Sequence, residues 1–202
     1  MTSFIVLEGL DGSGKTTQAK ALLGRLRRRN IPALLTHEPG GTPLGEQLRR
    51  WLKGRPGLSP LAELTLFIAA RAQLVEKVIT PALKSGVTVL SDRYTASTVA
   101  YQGHGRGLDL DLIRNLNLAA TGGLTPDMTI LFDMPPEVSL ARRNITGADA
   151  IEAAPWEFHR KVRESYLAQA AAHADKWLVV DATQAKRQLS QQIWAKVKPL
   201  LY

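Results

Sequence analysis

Gly9-Leu10-Asp11-Gly12-Ser13-Gly14-Lys15-Thr16 fits the pattern G-x-x-x-x-G-K-[ST]. The apolar run Phe4-Ile5-Val6-Leu7 leads into it, and a helix-compatible run over residues 15–29 leads out. In that strand, loop and helix context the glycines let the backbone curl. Successive N–H groups then point inward at a helix N-terminus and make a nest for phosphate. Lys15 is placed to reach the terminal phosphates of a nucleotide, and the Thr16 hydroxyl to ligate Mg2+. Residues Gly9 through Thr16, with Thr17 beside them, are therefore the candidate ATP contacts.

The chain has 202 residues, enough for one substantial core and too few for two ordinary domains. Hydrophobic residues make up 45% and charged residues 22%, the balance of a globular protein. No apolar run approaches the ~20 residues of a membrane helix, and no signal-peptide pattern opens the chain. The expectation is a cytoplasmic protein with no membrane partner. Without Cys there are no disulfides and no thiolate chemistry. His37, His104, His159 and His173 show no metal-ligand spacing. The net charge of +8 raises the question of nucleic acid. Much of it is local, in Arg25, Arg27, Arg28 and Arg29 at the end of the first helix, where cations suit the helix dipole. No zinc-finger or helix-turn-helix pattern accompanies them, so no nucleic-acid partner is expected.

Along the chain, Ala33-Leu34-Leu35-Thr36 reads as a second strand, followed by the breaker-rich turn Glu38-Pro39-Gly40-Gly41-Thr42-Pro43. Residues 44–52 have helical spacing. Ser59 caps a long helix over residues 60–83, with Pro60 at its first position and Pro81 bending or fraying its last turn. Val87-Thr88-Val89-Leu90 is a third strand, continuously apolar and so buried on both faces. Helices are expected over 96–101, 110–120, 136–143, 155–174 and 184–198, with strands over 128–132 and 178–180. Strands alternating with helices imply a parallel sheet covered on both faces. Ligands of such sheets sit beyond the carboxyl ends of the strands. Those ends carry the phosphate loop, His37-Glu38, Asp92-Arg93, Asp133 and Asp181, so polar residues converge on one rim.

Four pieces of sequence make the reading specific. They are Glu8 through Thr17, then Glu38-Pro39-Gly40-Gly41-Thr42, then Phe67 with Arg71-Ala72-Gln73, and last Asp92-Arg93-Tyr94 with Ser97-Thr98 and Ala100-Tyr101-Gln102-Gly103. In this order they resemble the bacterial-type thymidylate kinases, phosphate-loop nucleoside monophosphate kinases that move the γ-phosphate of ATP to dTMP. The resemblance implies a three-layer α/β fold with a five-stranded parallel sheet. It implies one domain over residues 1–202, with a dTMP-binding region about 36–103 and a mobile lid about 142–156. It also implies a homodimer, for which Leu64, Phe67, Ile68, Ala72 and Val75 mark one helix face.

The chemistry of the matched residues suits these roles. Phe67 resembles the residue that stacks on thymine, and Arg71, one turn on, the arginine that donates to a base carbonyl. Arg93 would clamp the acceptor 5′-phosphate with paired hydrogen bonds. Asp92 would act on Mg2+ through water or orient Arg93. Thr98 and Gln102 resemble groups at the base edge, and Tyr101 the tyrosine that a ribose 2′-hydroxyl would strike. Asp11 resembles the acid near the sugar 3′-hydroxyl, and Glu38, Pro39 and Ser97 complete the dTMP contacts. Because the acceptor is already an ionised phosphate, transfer needs positioning and charge neutralisation rather than a nucleophilic side chain.

The lid departs from the family. Its relatives carry an Asp-Arg-Ile-Glu-like stretch, whereas this chain reads Asp149-Ala150-Ile151-Glu152 and has no basic residue from 144 to 154. Arg142, Arg143, Arg160 and Arg163 are the candidates to substitute. Arg143 comes first for the γ-phosphate and Arg142 for stacking on adenine. The alternatives are a kinase for another monophosphate such as dUMP, against which Phe67, Arg71 and Tyr101 argue, and a nucleotide-binding protein with weak or no catalysis.

Overall fold

A computed structural model describes residues 2–54, 57–142 and 154–201. Five strands, β1 (Phe4–Gly9), β2 (Ala33–His37), β3 (Thr88–Asp92), β4 (Met128–Asp133) and β5 (Trp177–Asp181), form one sheet in the order β2-β3-β1-β4-β5. Every pairing is parallel. The registers Leu7 with Asp92, His37 with Asp92 and Asp133 with Asp181 bring the polar strand ends level, which builds the expected rim.

Alternation along β1 sorts the core into two layers. Ile5 and Leu7 pack with Leu22 and Leu26 of α1 (Lys15–Arg27) and Ile193 and Trp194 of α9 (Lys186–Val197). Phe4 and Val6 face the other way, onto Leu74 and Ile79. Beside them, Leu131 meets Val162 and Tyr166 of α8 (Trp156–Ala172). The remaining helices are α2 (Pro43–Gly54), α3 (Pro60–Leu74), α4 (Thr80–Lys84), α5 (Thr95–Thr98), α6 (Leu110–Thr121) and α7 (Pro136–Ala141). Two of the basic residues at the end of the first helix are more than a solvated face. The Arg25 and Arg29 guanidiniums stand 4.4 and 4.6 Å from the centre of the Trp194 ring, a cation–π cover for a buried indole.

The long helix expected over 60–83 differs in one respect. Ser59 caps it as read, accepting from the Ala62 N–H, but α3 passes through a π-helical turn, Val75–Ile79, before α4. Pro81 has no N–H to give and its ring would crowd the preceding turn. The wider turn just before it accommodates this, with the Thr80 N–H bonded to Val75 O. A second π-helical turn, Val99–Gly105, continues α5, where the sequence suggested an ordinary helix over 96–101.

Candidate active site

Beyond the rim lies a cleft of about 650 Å³, lined by the phosphate loop, α1 and the ends of β2 and β3. Gly9 lets the loop leave the sheet: its φ is 140°, and a Cβ there would stand 2.6 Å from Phe132 O of the neighbouring strand. Lys15 is buried, and its Nζ donates to Gly9 O at 3.0 Å and Leu10 O at 2.8 Å. Burial, joined by the nearby Arg93, pulls the Lys15 ammonium down from 10.5 to about 8, against the pull of Asp11, Asp92 and Glu8.

A measurable proton movement follows. Phosphates brought to this amine favour its charged form, so ATP binding at pH 8 should take up about half a proton. Calorimetry in buffers of different ionisation enthalpy reads that uptake, which Lys15→Met should abolish. The native chain also binds fewer protons here than the unfolded one between about 8 and 10.5, so this residue makes stability rise with pH across that window.

Thr16 Oγ1 donates to Asp92 Oδ2 at 2.5 Å, which places the two candidate metal contacts together at the mouth of the loop. Among the described residues no three His, Asp or Glu side chains gather into a metal cage. One hydroxyl and one carboxylate suit Mg2+, which keeps several waters and leans on substrate phosphates.

Arg93 follows β3 with φ 78°, a left-handed conformation costing a non-glycine residue about 1–3 kcal/mol. Its N–H donates to Leu7 O and its carbonyl accepts from Ser91 Oγ, so the strand end holds the turn. The guanidinium donates to Asp11 Oδ1 at 2.7 Å, Tyr101 OH at 3.2 Å, Ser97 Oγ at 3.1 Å and Tyr166 OH at 3.2 Å. Its centre also lies 5.0 Å from that of the Tyr101 ring. Burial pushes the Tyr101 phenol up, so it stays neutral beside the arginine.

Arg71 is 1% exposed, and all five of its N–H groups are directed at protein. Nε and Nη2 reach Glu38 Oε2 at 2.8 and 2.5 Å, Nη1 reaches Thr98 Oγ1 at 2.8 Å and Asn117 Oδ1 at 2.5 Å, and Nη2 also reaches Tyr94 O at 3.0 Å. Burial raises the Glu38 carboxyl and the Arg71 charge pulls it back. Glu38 leads by a cis peptide into Pro39, and the turn then needs glycine: at Gly41, φ 72°, a Cβ would meet Thr36 Oγ1 at 2.3 Å. Phe67 is half-buried one turn before Arg71 on α3. Gln102 is buried in the second π-helical turn, its Nε2 donating to Glu63 Oε1 at 2.9 Å, and Arg106 grips the same carboxylate. Glu38 lines the cleft, and through Arg71 it is tied to Thr98 of α5, one turn before Gln102 in the sequence.

The lid candidates separate. Arg143, with the rest of 143–153, lies outside the described residues. Arg142 ends α7 and donates to Ala182 O at 3.1 Å, just past the end of β5. Arg160 is engaged by Glu157 and Glu164 on its own exposed helix face. Arg163 forms a paired bridge to Asp133 on the rim, at 2.7 and 2.9 Å.

Sequence reasoning gave no role to several participants. Arg49 of α2 lines the cleft and donates to Pro39 O at 3.0 Å, and Lys20 of α1 lines it as well. Arg49 lies on a helix predicted from spacing alone, and only its approach to the Glu38 turn distinguishes it from Arg50. Asn117 and Tyr166 enter from distant helices, and Glu8 stands in the sequence only as the residue that precedes the loop motif.

Fold and rim together define a phosphate-loop nucleotide-binding protein whose cleft faces a second, arginine-bearing wall. The profile of the thymidylate kinase family matches residues 7–193, and the chain belongs to that family. It is 49% identical over 206 residues to the thymidylate kinase of Thermomicrobium roseum, covering 100% of this chain and 97% of the relative. The thymidylate kinase of Deinococcus radiodurans is 47% identical over 196 residues, covering 96% and 95%. The crystal structure of thymidylate kinase from Ehrlichia chaffeensis superposes with a TM-score of 0.80 at 34% identity, covering 98% of both chains.

Proposed function

We propose that the protein transfers the γ-phosphate of ATP to dTMP, giving dTDP for dTTP synthesis. The observation that carries this reading is the phosphate loop facing Arg93 across one cleft, beside the buried Glu38–Arg71 pair. Lys15 would turn from the loop carbonyls to the donor phosphates. Arg93 would hold the acceptor phosphate, with Asp11 and Tyr101 beside the sugar. Phe67 would stack on the base, and Thr98 and Gln102 would meet its edge. Since the Arg71 donors already point at protein, a base carbonyl would share one of them, most simply from Nη1. Thr16, with Asp92 through water, would hold Mg2+, which neutralises charge on the phosphates when bound. For the lid's charge the first candidate is Arg143, with Arg142 against adenine. The family's activity would operate in the cytoplasm, where its nucleotides are used. A non-catalytic protein finds no support among the relatives, each of which is named a kinase.

The test is Mg-ATP-dependent ADP release with dTMP, dUMP, dGMP, CMP and no acceptor in parallel. Rapid release with dTMP above all others is expected; equal release with every acceptor would sink the assignment.

We also propose a homodimer through α2 and α3. Trp51 is 53% and Leu61 50% exposed, and Trp51 and Leu66 line a shallow groove between the helices. Of the face marked in the sequence, Leu64 and Val75 are instead buried in the chain's own core. Sedimentation should give twice the chain mass, and Trp51→Glu should shift it to monomer.

A further inference from the structure

We propose that Glu8 is a positioning residue for Arg93, acting through the hydroxyls of Ser97 and Tyr166. The inference rests on the acceptor-phosphate role of Arg93 given above. Glu8 sits in β1 at 0% exposure, beneath the phosphate loop. Four donors converge on its carboxylate. Oε1 accepts from the Tyr94 N–H at 2.9 Å and the Ser97 N–H at 3.2 Å, while Oε2 accepts from Ser97 Oγ at 2.6 Å and Tyr166 OH at 2.9 Å. The two backbone bonds fix the start of α5, directly after the strained Arg93.

The two hydroxyl bonds do something a packing residue would not. A hydroxyl has one proton; Ser97 Oγ and Tyr166 OH touch each other at 2.8 Å as well as Glu8, and the acceptor-only carboxylate draws the proton end of this pair toward itself. Ser97 and Tyr166 are left with lone pairs toward Arg93 Nη1, which donates to both. The carboxylate thus sets the polarity of the hydroxyls that hold the guanidinium, while Asp11 and Tyr101 take the other nitrogen. Burial drives the Glu8 carboxyl up; Arg93, the hydroxyls and the Tyr94 N–H hold it down. An amide at the same place would aim two N–H groups into this ring of donors. Either a backbone N–H loses its acceptor, or the hydroxyls turn their protons toward Arg93.

The test is Glu8→Gln and Tyr166→Phe, each with and without Arg93→Ala, measured as dissociation constants for dTMP and for ATP and as KM and kcat. A misplaced clamp should weaken dTMP about tenfold to a hundredfold and leave ATP within about twofold. With Arg93 already removed, Glu8→Gln should change dTMP binding by less than about twofold, because the two act as one unit. If Glu8→Gln weakens dTMP and ATP alike, or costs the same factor with and without Arg93, Glu8 is only a structural residue and the inference fails. Should Glu8→Gln not fold, the same criteria apply to Tyr166→Phe, which keeps the buried ring and loses only the hydroxyl. A wild-type chain that neither binds nor phosphorylates dTMP would instead overturn the proposed function.

Discussion

An Arg93→Ala variant is expected to lose about a thousandfold in kcat/KM for dTMP, the scale of a cation that meets the transferring phosphates. The loss should appear in steady-state ADP release, while the dissociation constant for ATP stays within a few-fold. In the proposed reading the residue offers the acceptor phosphate a fork of donors, and Lys15, here bound to the loop carbonyls, serves the donor phosphates. Arg93→Lys should recover little, since a point charge cannot reproduce the two-pronged contact. Removing the guanidinium also frees Asp11 from its bridge. The double change Arg93→Ala with Asp11→Asn separates that effect: it should restore stability without restoring turnover. Full activity in Arg93→Ala would end the clamp assignment.

Arg71→Ala is expected to act on the fold before it acts on the substrate. It strands the Glu38 carboxylate, Thr98, Asn117 and the Tyr94 carbonyl, groups that are buried and were satisfied by one side chain. Among the described residues, Glu38 Oε1 already has no hydrogen-bond partner, so Oε2 is the oxygen that anchors it. Breaking a buried pair by removing one partner costs about 3–5 kcal/mol. For a chain of this size that lowers Tm by roughly 10 °C, read by calorimetry. Adding Glu38→Gln removes the stranded charge and should return part of the loss, a sign opposite to simple additivity. The dTMP affinity should stay poor in both. A Tm within about 2 °C of the parent would show that the pair contributes no more than a surface bridge.

What could be read from the sequence follows from how local each signal is. The loop, its strand and its helix are one continuous stretch, and the apolar runs of β3 and β4 are self-announcing. Strand order was not visible, yet the strand ends were, and a parallel sheet needs only those to assemble a rim. Four of the five strand ends carry a residue now seen in a cleft contact or rim bridge: Lys15, Glu38, Arg93 and Asp133. The partners of those residues were hidden for the opposite reason. Tyr166 falls on the apolar spacing of Phe158, Val162 and Ala170, and its hydroxyl changes nothing in that pattern. Asn117 lies 46 residues from Arg71, and nothing in α6 marks it as an acceptor. Glu8 stands inside an otherwise apolar strand, and the anomaly of a charge there was the one available clue. The wide turns escaped because spacing rules assume a constant pitch.

Those wide turns have a consequence for how such a chain tolerates insertion and deletion. A π-helical turn contains one residue more than an α-helical one. In Val99–Gly105 the neighbours Ala100, Tyr101, Gln102 and Gly103 are all buried, more than one face of a regular helix would keep inside. Shortening the segment by one residue would restore ordinary pitch, leaving the flanking helix nearly in register while the residues inside the turn move to other faces. Tyr101 would keep its azimuth while Gln102 left Glu63, or the reverse, according to where the cut fell. At this point the length of the chain, rather than the identity of any side chain, lets Tyr101 reach Arg93 while its neighbour Gln102 reaches Glu63.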